Sequence, residues 1–219
     1  MAIKDRKERE KKEMQALILE AAKELFLKEG YDKTSIRSIA EKIEYSPGTI
    51  YQYFDDKDDI FFALHFFAFQ DLLAEMDKNC QFKKPLDNLL AIGKTYINFA
   101  LQNPELYDLM FIMRAPMCSL QSKKEQLFEK IKGENTENAS MEWEEGFAAF
   151  DRLKNIMQAC INENLIKYDN VEIASINMWA NVHGLASLYI RDRFQMFPQE
   201  IVTNLIEKCL LDMIEAIKK

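Results

Sequence analysis

Apolar residues recur three and four positions apart over most of this chain, and the strict alternation of a half-buried strand is absent. Positions 13–29 place Leu17, Ile18, Ala21, Ala22, Leu25 and Phe26 on one helical face, and Gly30 follows as a C-terminal stop. Thr34-Ser35 offers an N-cap for a short helix carrying Ile36, Ile39, Ala40 and Ile43. After a break at Glu44-Tyr45, Ser46 caps a second short helix with Pro47 at its first position, running to about Phe54. Asp55 and Asp56 cap a long helix over 57–79, with Asp58 and Asp59 in its first turn, where carboxylates suit the helix dipole. That helix is apolar nearly all round between Ile60 and Phe69, so several sides of it must be covered. Further helices are expected at 85–102, 105–113, 119–132, 141–164, 171–193 and 198–217, with 114–116 irregular and 133–140 a polar loop. The reading is an all-α chain of nine or ten helices.

Composition supports long helices joined by short loops, because 219 residues contain only 6 Gly and 5 Pro. Cys80, Cys118, Cys160 and Cys209 are widely spaced and sit beside no histidine, so reduced thiols in a cytoplasmic protein are expected. The N-terminus has neither the apolar stretch nor the cleavage-like site of a signal peptide. The apolar run at 60–69 is too short to span a membrane, and the one at 173–190 is interrupted by polar side chains. With two histidines, no glycine-rich phosphate loop, no nucleophile elbow and no metal-ligand cluster, an enzyme has little support, and neither cofactor nor metal is expected.

The net charge of −7 conceals an asymmetry. Residues 1–54 carry 11 basic against 10 acidic side chains, while residues 55–219 carry 18 against 26. Six of the basic residues and three of the acidic ones fall within the first twelve positions. A mildly basic head on an acidic body is consistent with a DNA reader attached to a domain with another task.

Two short helices behind a longer amphipathic one form the layout of a helix-turn-helix, whose second helix enters the major groove. Ile36, Ile39, Ala40, Ile43, Ile50 and Phe54 are spaced to face Leu25 and Phe26 in a small three-helix core. Ser46, Pro47, Gly48, Thr49, Tyr51, Gln52 and Tyr53 are left on or near the outward side. Gly48 permits close backbone approach, and Thr49 and Gln52 can hydrogen-bond base edges. Tyr51, Tyr53, Thr34 and the helix starts at Ser35 and Ser46 suit phosphate oxygens, and Lys57 begins the next helix beside them.

The string Phe26-x3-Gly30-Tyr31-x2-Thr34-Ser35-Ile36-x2-Ile39-Ala40, followed by Ser46-Pro47-Gly48-Thr49-Ile50-Tyr51-Gln52-Tyr53-Phe54-x2-Lys57, resembles the DNA-binding domain of TetR-type regulators. The resemblance implies that Thr34, Ser46, Gly48, Thr49, Tyr51, Gln52, Tyr53 and Lys57 face DNA while Ile39, Ile50 and Phe54 are core. Three departures bear on which bases are read. Glu44-Tyr45 occupies a turn where a glycine is common, Pro47 replaces a polar or basic residue, and Tyr53 stands where a histidine is frequent.

The expected organisation is a reading domain at 1–56 and a helical effector-binding and dimerisation domain at 57–219. Small residues Ala180, Gly184 and Ser187 on one helix, and Val202, Leu205, Ile206, Cys209, Met213 and Ile217 on the last, suggest a four-helix interface between two copies. The resemblance implies the same mode of dimerisation. Trp179-x3-His183-Gly184 also resembles the tryptophan–histidine–glycine motif of one C-terminal domain class in that family. Phe66, Phe69, Tyr96, Phe99, Phe111, Trp143, Phe147, Met157, Trp179 and His183 are candidates to line an effector cavity, although aromatic and Met residues are more often plain core. The functional expectation is a DNA-binding regulator, in the repressor form released from operator DNA by a small apolar or amphipathic effector. The apolar helix after Lys57 is the candidate lever. The rival reading is a helical dimer that senses a ligand or a protein partner without touching DNA.

Overall fold

The computed structural model of the protein describes residues 2–113 and 144–219, with side chains described for 6–113 and 146–219. The irregular stretch, helix and loop expected between 114 and 140, together with Cys118 and Trp143, lie outside the described residues. Nine helices occur among the described residues: α1 Ala2–Glu29, α2 Ile36–Lys42, α3 Pro47–Ile50, α4 Lys57–Asn79, α5 Pro85–Gln102, α6 Pro104–Phe111, α7 Glu144–Asn162, α8 Val171–Ile190 and α9 Gln199–Ile217. Extended pairing among them is limited to one isolated antiparallel bridge between Ile166 and Lys218. None of the described helices is long and apolar enough to cross a membrane.

The helix α1 begins eleven residues before the point that apolar periodicity marks. Its first three turns contain no apolar stripe, so periodicity cannot see them. They are held by strong helix formers and by ion pairs one turn apart, Arg6 with Glu10 at 2.7 Å and Arg9 with Glu13 at 3.7 Å. The helix α3 is shorter than expected. Its regular part ends at Ile50, and tighter turn bonds such as Gln52 N–H to Thr49 O and Tyr53 N–H to Ile50 O carry the chain on to Phe54.

Helix ends follow the capping residues. Ser35 Oγ accepts from Ser38 N–H at 3.1 Å while Ser38 Oγ accepts from Ser35 N–H at 2.9 Å, a reciprocal box. Ser46 Oγ accepts from Thr49 N–H at 3.2 Å. Asp56 accepts from Asp59 N–H at 3.0 Å, and Asp59 accepts from Asp55 N–H at 2.9 Å. The C-termini use residues with positive φ, namely Gly30 at 84°, Glu44 at 60°, Asn164 at 57° and Asp192 at 52°. At three of them the same pair of bonds closes the helix. For α2 these are Glu44 N–H to Glu41 O at 3.2 Å and Tyr45 N–H to Ala40 O at 3.0 Å. Glu44 is the costliest of the four. It lacks the short side chain that lets Asn and Asp sit in this region, so about 1 kcal/mol of strain is held there.

The described residues group into two compact units. One comprises residues up to Ala68 together with Asp108–Met113. Its core joins Ile18, Ala22 and Phe26 of α1 to Ile39 and Ala40 of α2, Ile50 and Phe54, and Ile60 and Phe61 of α4, with Leu25 and Ile43 partly buried at the edge. Phe26, Tyr31 and Phe61 form an aromatic triangle with centroids 5.2–5.6 Å apart. His65 is buried 4.7 Å from the Phe61 ring, and burial pushes its pKa down to about 4 despite a hydrogen bond with the Leu109 backbone.

The second unit comprises Phe69–Tyr107 and Glu144–Lys219. There α5 packs against α7, α8 and α9. Gly93 lets α5 approach α9, since a Cβ at that position would lie 2.8 Å from a Leu210 methyl. Val202, Ile206, Leu210 and Ile214 form the buried stripe of α9.

Two stability outcomes follow. Replacing Glu44 by glycine should hold or raise unfolding free energy, by up to about 1 kcal/mol, whereas Glu44→Val should lower it by about 1–2 kcal/mol. Urea unfolding measures both, and a larger loss with glycine than with valine would contradict the left-handed turn. His65 has a folded pKa below its unfolded value. Its neutral form therefore supports folding fully above about pH 6.5, and that support is lost as pH falls toward 4. The protein should lose roughly 2 kcal/mol through this residue between about pH 7.5 and pH 5, a slope that His65→Gln removes.

Candidate DNA-reading surface and C-terminal polar cluster

The α2–turn–α3 segment is held from beneath by its apolar residues and presents polar ones outward. Ser35, Ser46, Pro47, Gly48, Tyr51 and Gln52 are exposed, Tyr51 by 56%. Thr49 and Tyr53 are half-buried, and Tyr53 packs against the core. Thr49 Oγ1 lies 3.1 Å from Ser46 Oγ, so the cap and a candidate base-reading hydroxyl are linked. Tyr45, which the sequence reading left out of this surface, is 46% exposed directly before the Ser46 cap. Only its neighbour in sequence, Ser46, hinted at this.

Two expected members of the surface stand elsewhere. Thr34 is 2% exposed, and its hydroxyl donates to the Gly30 carbonyl at 2.9 Å, so it braces the α1–α2 connection. Lys57 turns inward as well. Its Nζ donates to the Tyr31 carbonyl at 2.7 Å and sits 4.1 Å above the Tyr31 ring centroid. The Tyr31 hydroxyl donates to Asp58, and burial followed by that carboxylate holds the phenol protonated well above its usual range. The start of α4 is thus tied to the end of α1 by three contacts through one tyrosine.

The ten effector-cavity candidates are dispersed. Phe66 is buried and Phe111 half-buried in the first unit. In the second, Phe69, Phe99 and Met157 are fully buried core, and Phe147 is exposed. Tyr96, Trp179 and His183 do converge, joined by Tyr107, which sequence reading missed because it lies beyond a helix break from Tyr96. Tyr107 Oη is 2.6 Å from His183 Nδ1 and 3.0 Å from Tyr96 Oη. Tyr96 Oη is 3.2 Å from His183 Nδ1 and accepts from Trp179 Nε1–H at 3.3 Å. Phe150 packs edge-on to Trp179 at 5.9 Å. Burial raises the Tyr96 pKa to about 12 and pushes Tyr107 far above the phenol range, with Tyr96 adding to the effect. Burial also lowers His183. The cluster is built to stay uncharged.

The interface candidates divide too. Val202 and Ile206 are 1% and 2% exposed and face the interior of their own unit, so they are corrected to core. They belong to the i, i+4 stripe that α9 buries against α5. Ser187 lies against Tyr107. Ala180 is exposed, Gly184, Cys209 and Met213 are half-buried, and Ile173, Ile176, Leu188 and Ile201 expose apolar side chains nearby in sequence. Cys80, Cys160 and Cys209 are unbridged thiols.

Residues 18–64 match the tetR family of bacterial regulatory proteins, and residues 89–213 match the tetracyclin repressor-like C-terminal domain. The helix-turn-helix transcriptional regulator HbdR of Aromatoleum sp. (strain CIB) is 53% identical over 45 residues, which is 20% of each chain. A helix-turn-helix transcriptional repressor of Mycobacterium tuberculosis is 45% identical over 47 residues, 22% of this chain and 25% of that one. The matches thus span only about a fifth to a quarter of these relatives' lengths. Among solved structures, a TetR family transcription regulator from Marinobacter aquaeolei VT8 shares the fold over 98% of this chain and 99% of its own, with a TM-score of 0.66 at 18% identity. The regulator FadR from Bacillus subtilis, solved with stearoyl-CoA, shares it over 89% and 96% of the two chains, with a TM-score of 0.66 at 17% identity. Matched at its helix-turn-helix and again over more than half its length, this chain belongs to the TetR family of bacterial regulatory proteins.

Proposed function

We propose that this protein is a cytoplasmic, homodimeric transcriptional regulator that binds operator DNA and, as a repressor, is released from it by a small effector. The observation that carries the reading is the exposed row Ser46, Pro47, Gly48, Tyr51 and Gln52 on a segment whose opposite side is locked into an aromatic core. Base recognition needs donors and acceptors held in fixed register, and both conditions are met in one short segment. Ser35, Thr49 and Tyr53 stand at its edge. Thr34 is read as a brace, and Lys57 as a residue that must leave Tyr31 before it can reach phosphate.

One such head spans few base pairs, so specificity calls for two. The exposed apolar positions Ile173, Ile176, Ala180 and Leu188 of α8, with Ile201, Cys209 and Met213 of α9, are the surfaces that pairing would cover. For the effector, the convergence of Tyr96, Tyr107, Trp179 and His183 supports an amphipathic molecule whose polar end meets uncharged donors and acceptors. The FadR structure holding stearoyl-CoA supports an apolar body for such a ligand in this fold. The helices α4 and α6 each run from one unit into the other along the chain and are the segments through which an effector can act on the head.

A fluorescence-anisotropy titration with duplex DNA from upstream of the protein's own coding sequence tests the reading. Selective binding that weakens steeply with salt is expected, and equal binding to scrambled DNA would sink it. Tyr51→Ala should weaken operator binding roughly tenfold and leave the melting temperature unchanged, since the ring lies on the surface. Lys57→Ala should weaken binding and also lower stability by about 1–2 kcal/mol, because its ammonium holds Tyr31.

A further inference from the structure

The electrostatics of the reading surface do not suffice for DNA by themselves. From residue 43 to residue 59 there are five carboxylates and a single basic side chain, Lys57, whose ammonium is docked on Tyr31. The nearest cations in sequence are engaged as well, Arg37 with Glu41 at 2.9 Å and Lys42 with Glu24 at 2.7 Å. A duplex carries about one negative charge per 1.7 Å of axis, so a surface of this sign is repelled unless cations are supplied from elsewhere.

The first three turns of α1 carry them. Residues 2–12 hold six basic and three acidic side chains on continuous helix, and the described side chains from Arg6 to Lys12 are exposed. Their arrangement is not random. Arg6 and Arg9 are paired one turn ahead with Glu10 and Glu13. Positions 4, 7 and 11 share one helical face, in register with Met14, Ile18 and Ala22, the face by which α1 packs into the three-helix core. Where the helix leaves that core, its apolar stripe is replaced by a lysine stripe. Like charges one turn apart destabilise a helix slightly, so the alignment works against the helix unless an anionic partner covers it.

We propose that the N-terminal turns of α1, through Lys4, Lys7, Lys11 and Lys12, form a second DNA-contacting element that grips the phosphate backbone flanking the operator. The proposal rests on the DNA-binding reading above. The element adds affinity and salt dependence and contributes nothing to the choice of base sequence, because it contains no group placed to read base edges.

The test uses the full chain with Lys4→Gln, Lys7→Gln, Lys11→Gln and Lys12→Gln combined, since glutamine keeps helix propensity close to that of lysine. Anisotropy titrations with the upstream duplex and with a scrambled duplex, between about 50 and 200 mM salt, give the slope of log affinity against log salt. The slope should become shallower by about 2–4, and low-salt affinity should fall at least about tenfold on both duplexes. The ratio of specific to scrambled affinity should stay within about threefold of the unmodified protein, with circular dichroism and melting unchanged. A second variant, Glu8→Gln with Glu10→Gln, should bind both duplexes more tightly. An unchanged slope and affinity in a variant of a protein that binds its upstream DNA selectively would overturn the proposal alone. A loss confined to the upstream duplex would overturn it too, because it would mean the lysines read sequence. Absence of selective binding by the unmodified protein would overturn the DNA-binding reading and this inference with it.

Discussion

Every helix leaves unpaired N–H groups at its start and unpaired carbonyls at its end, and a chain built of helices must satisfy both many times over. With only six glycines, this chain does so mostly with ordinary residues. Ser35, Ser46, Asp56 and Asn170 accept from the first turns, while Glu44, Asn164 and Asp192 adopt left-handed backbone to close the last ones. The angle between α2 and α3 depends on one such closure. Tyr45 N–H reaches back to Ala40 O, turns the chain within two residues, and delivers Ser46 in position to cap the next helix. The reading segment inherits its geometry from this turn, and strain at Glu44 is accepted because the core beneath, with Ile39, Ala40, Ile50 and Phe54, admits no other path.

Tyr31 shows how that geometry is passed to the rest of the head. Its ring stacks with Phe26 and Phe61, its hydroxyl binds Asp58, and its carbonyl and ring hold Lys57. The start of α4 is thereby fixed to the end of α1 by aromatic packing, a charge-assisted hydrogen bond and a cation–π contact together. Such a joint transmits movement of α4 to the reading segment instead of absorbing it. It also withholds the one cation that lies nearest the groove-facing residues.

The second unit spends its polar groups differently. Tyr96, Tyr107, Trp179 and His183 come from three helices and satisfy one another in an interior where ions are disfavoured. A linked set of this kind responds as a whole when one member is displaced, since each hydroxyl is both donor and acceptor. That property suits recognition of a polar group without charge.

Helix positions, the capping serines and aspartates, the left-handed stop at Gly30 and the apolar core of the head were all legible in the sequence, because each rests on spacing or on local backbone chemistry within a few residues. The first turns of α1 were not, since a helix held by ion pairs has no apolar period to detect. Thr34, Lys57, Val202 and Ile206 had the residue types and spacing expected of surface sites, yet each turned inward for a reason carried by another element. For Thr34 that element is the Gly30 carbonyl, for Lys57 it is Tyr31, and for the α9 pair it is the approach that Gly93 allows to α5. The tyrosine–histidine cluster likewise joins residues as many as 87 positions apart. Sequence by itself determined which segments are helices and which face of each is apolar. Which polar group meets which was decided only by packing, because that depends on distances between helices that no local pattern encodes.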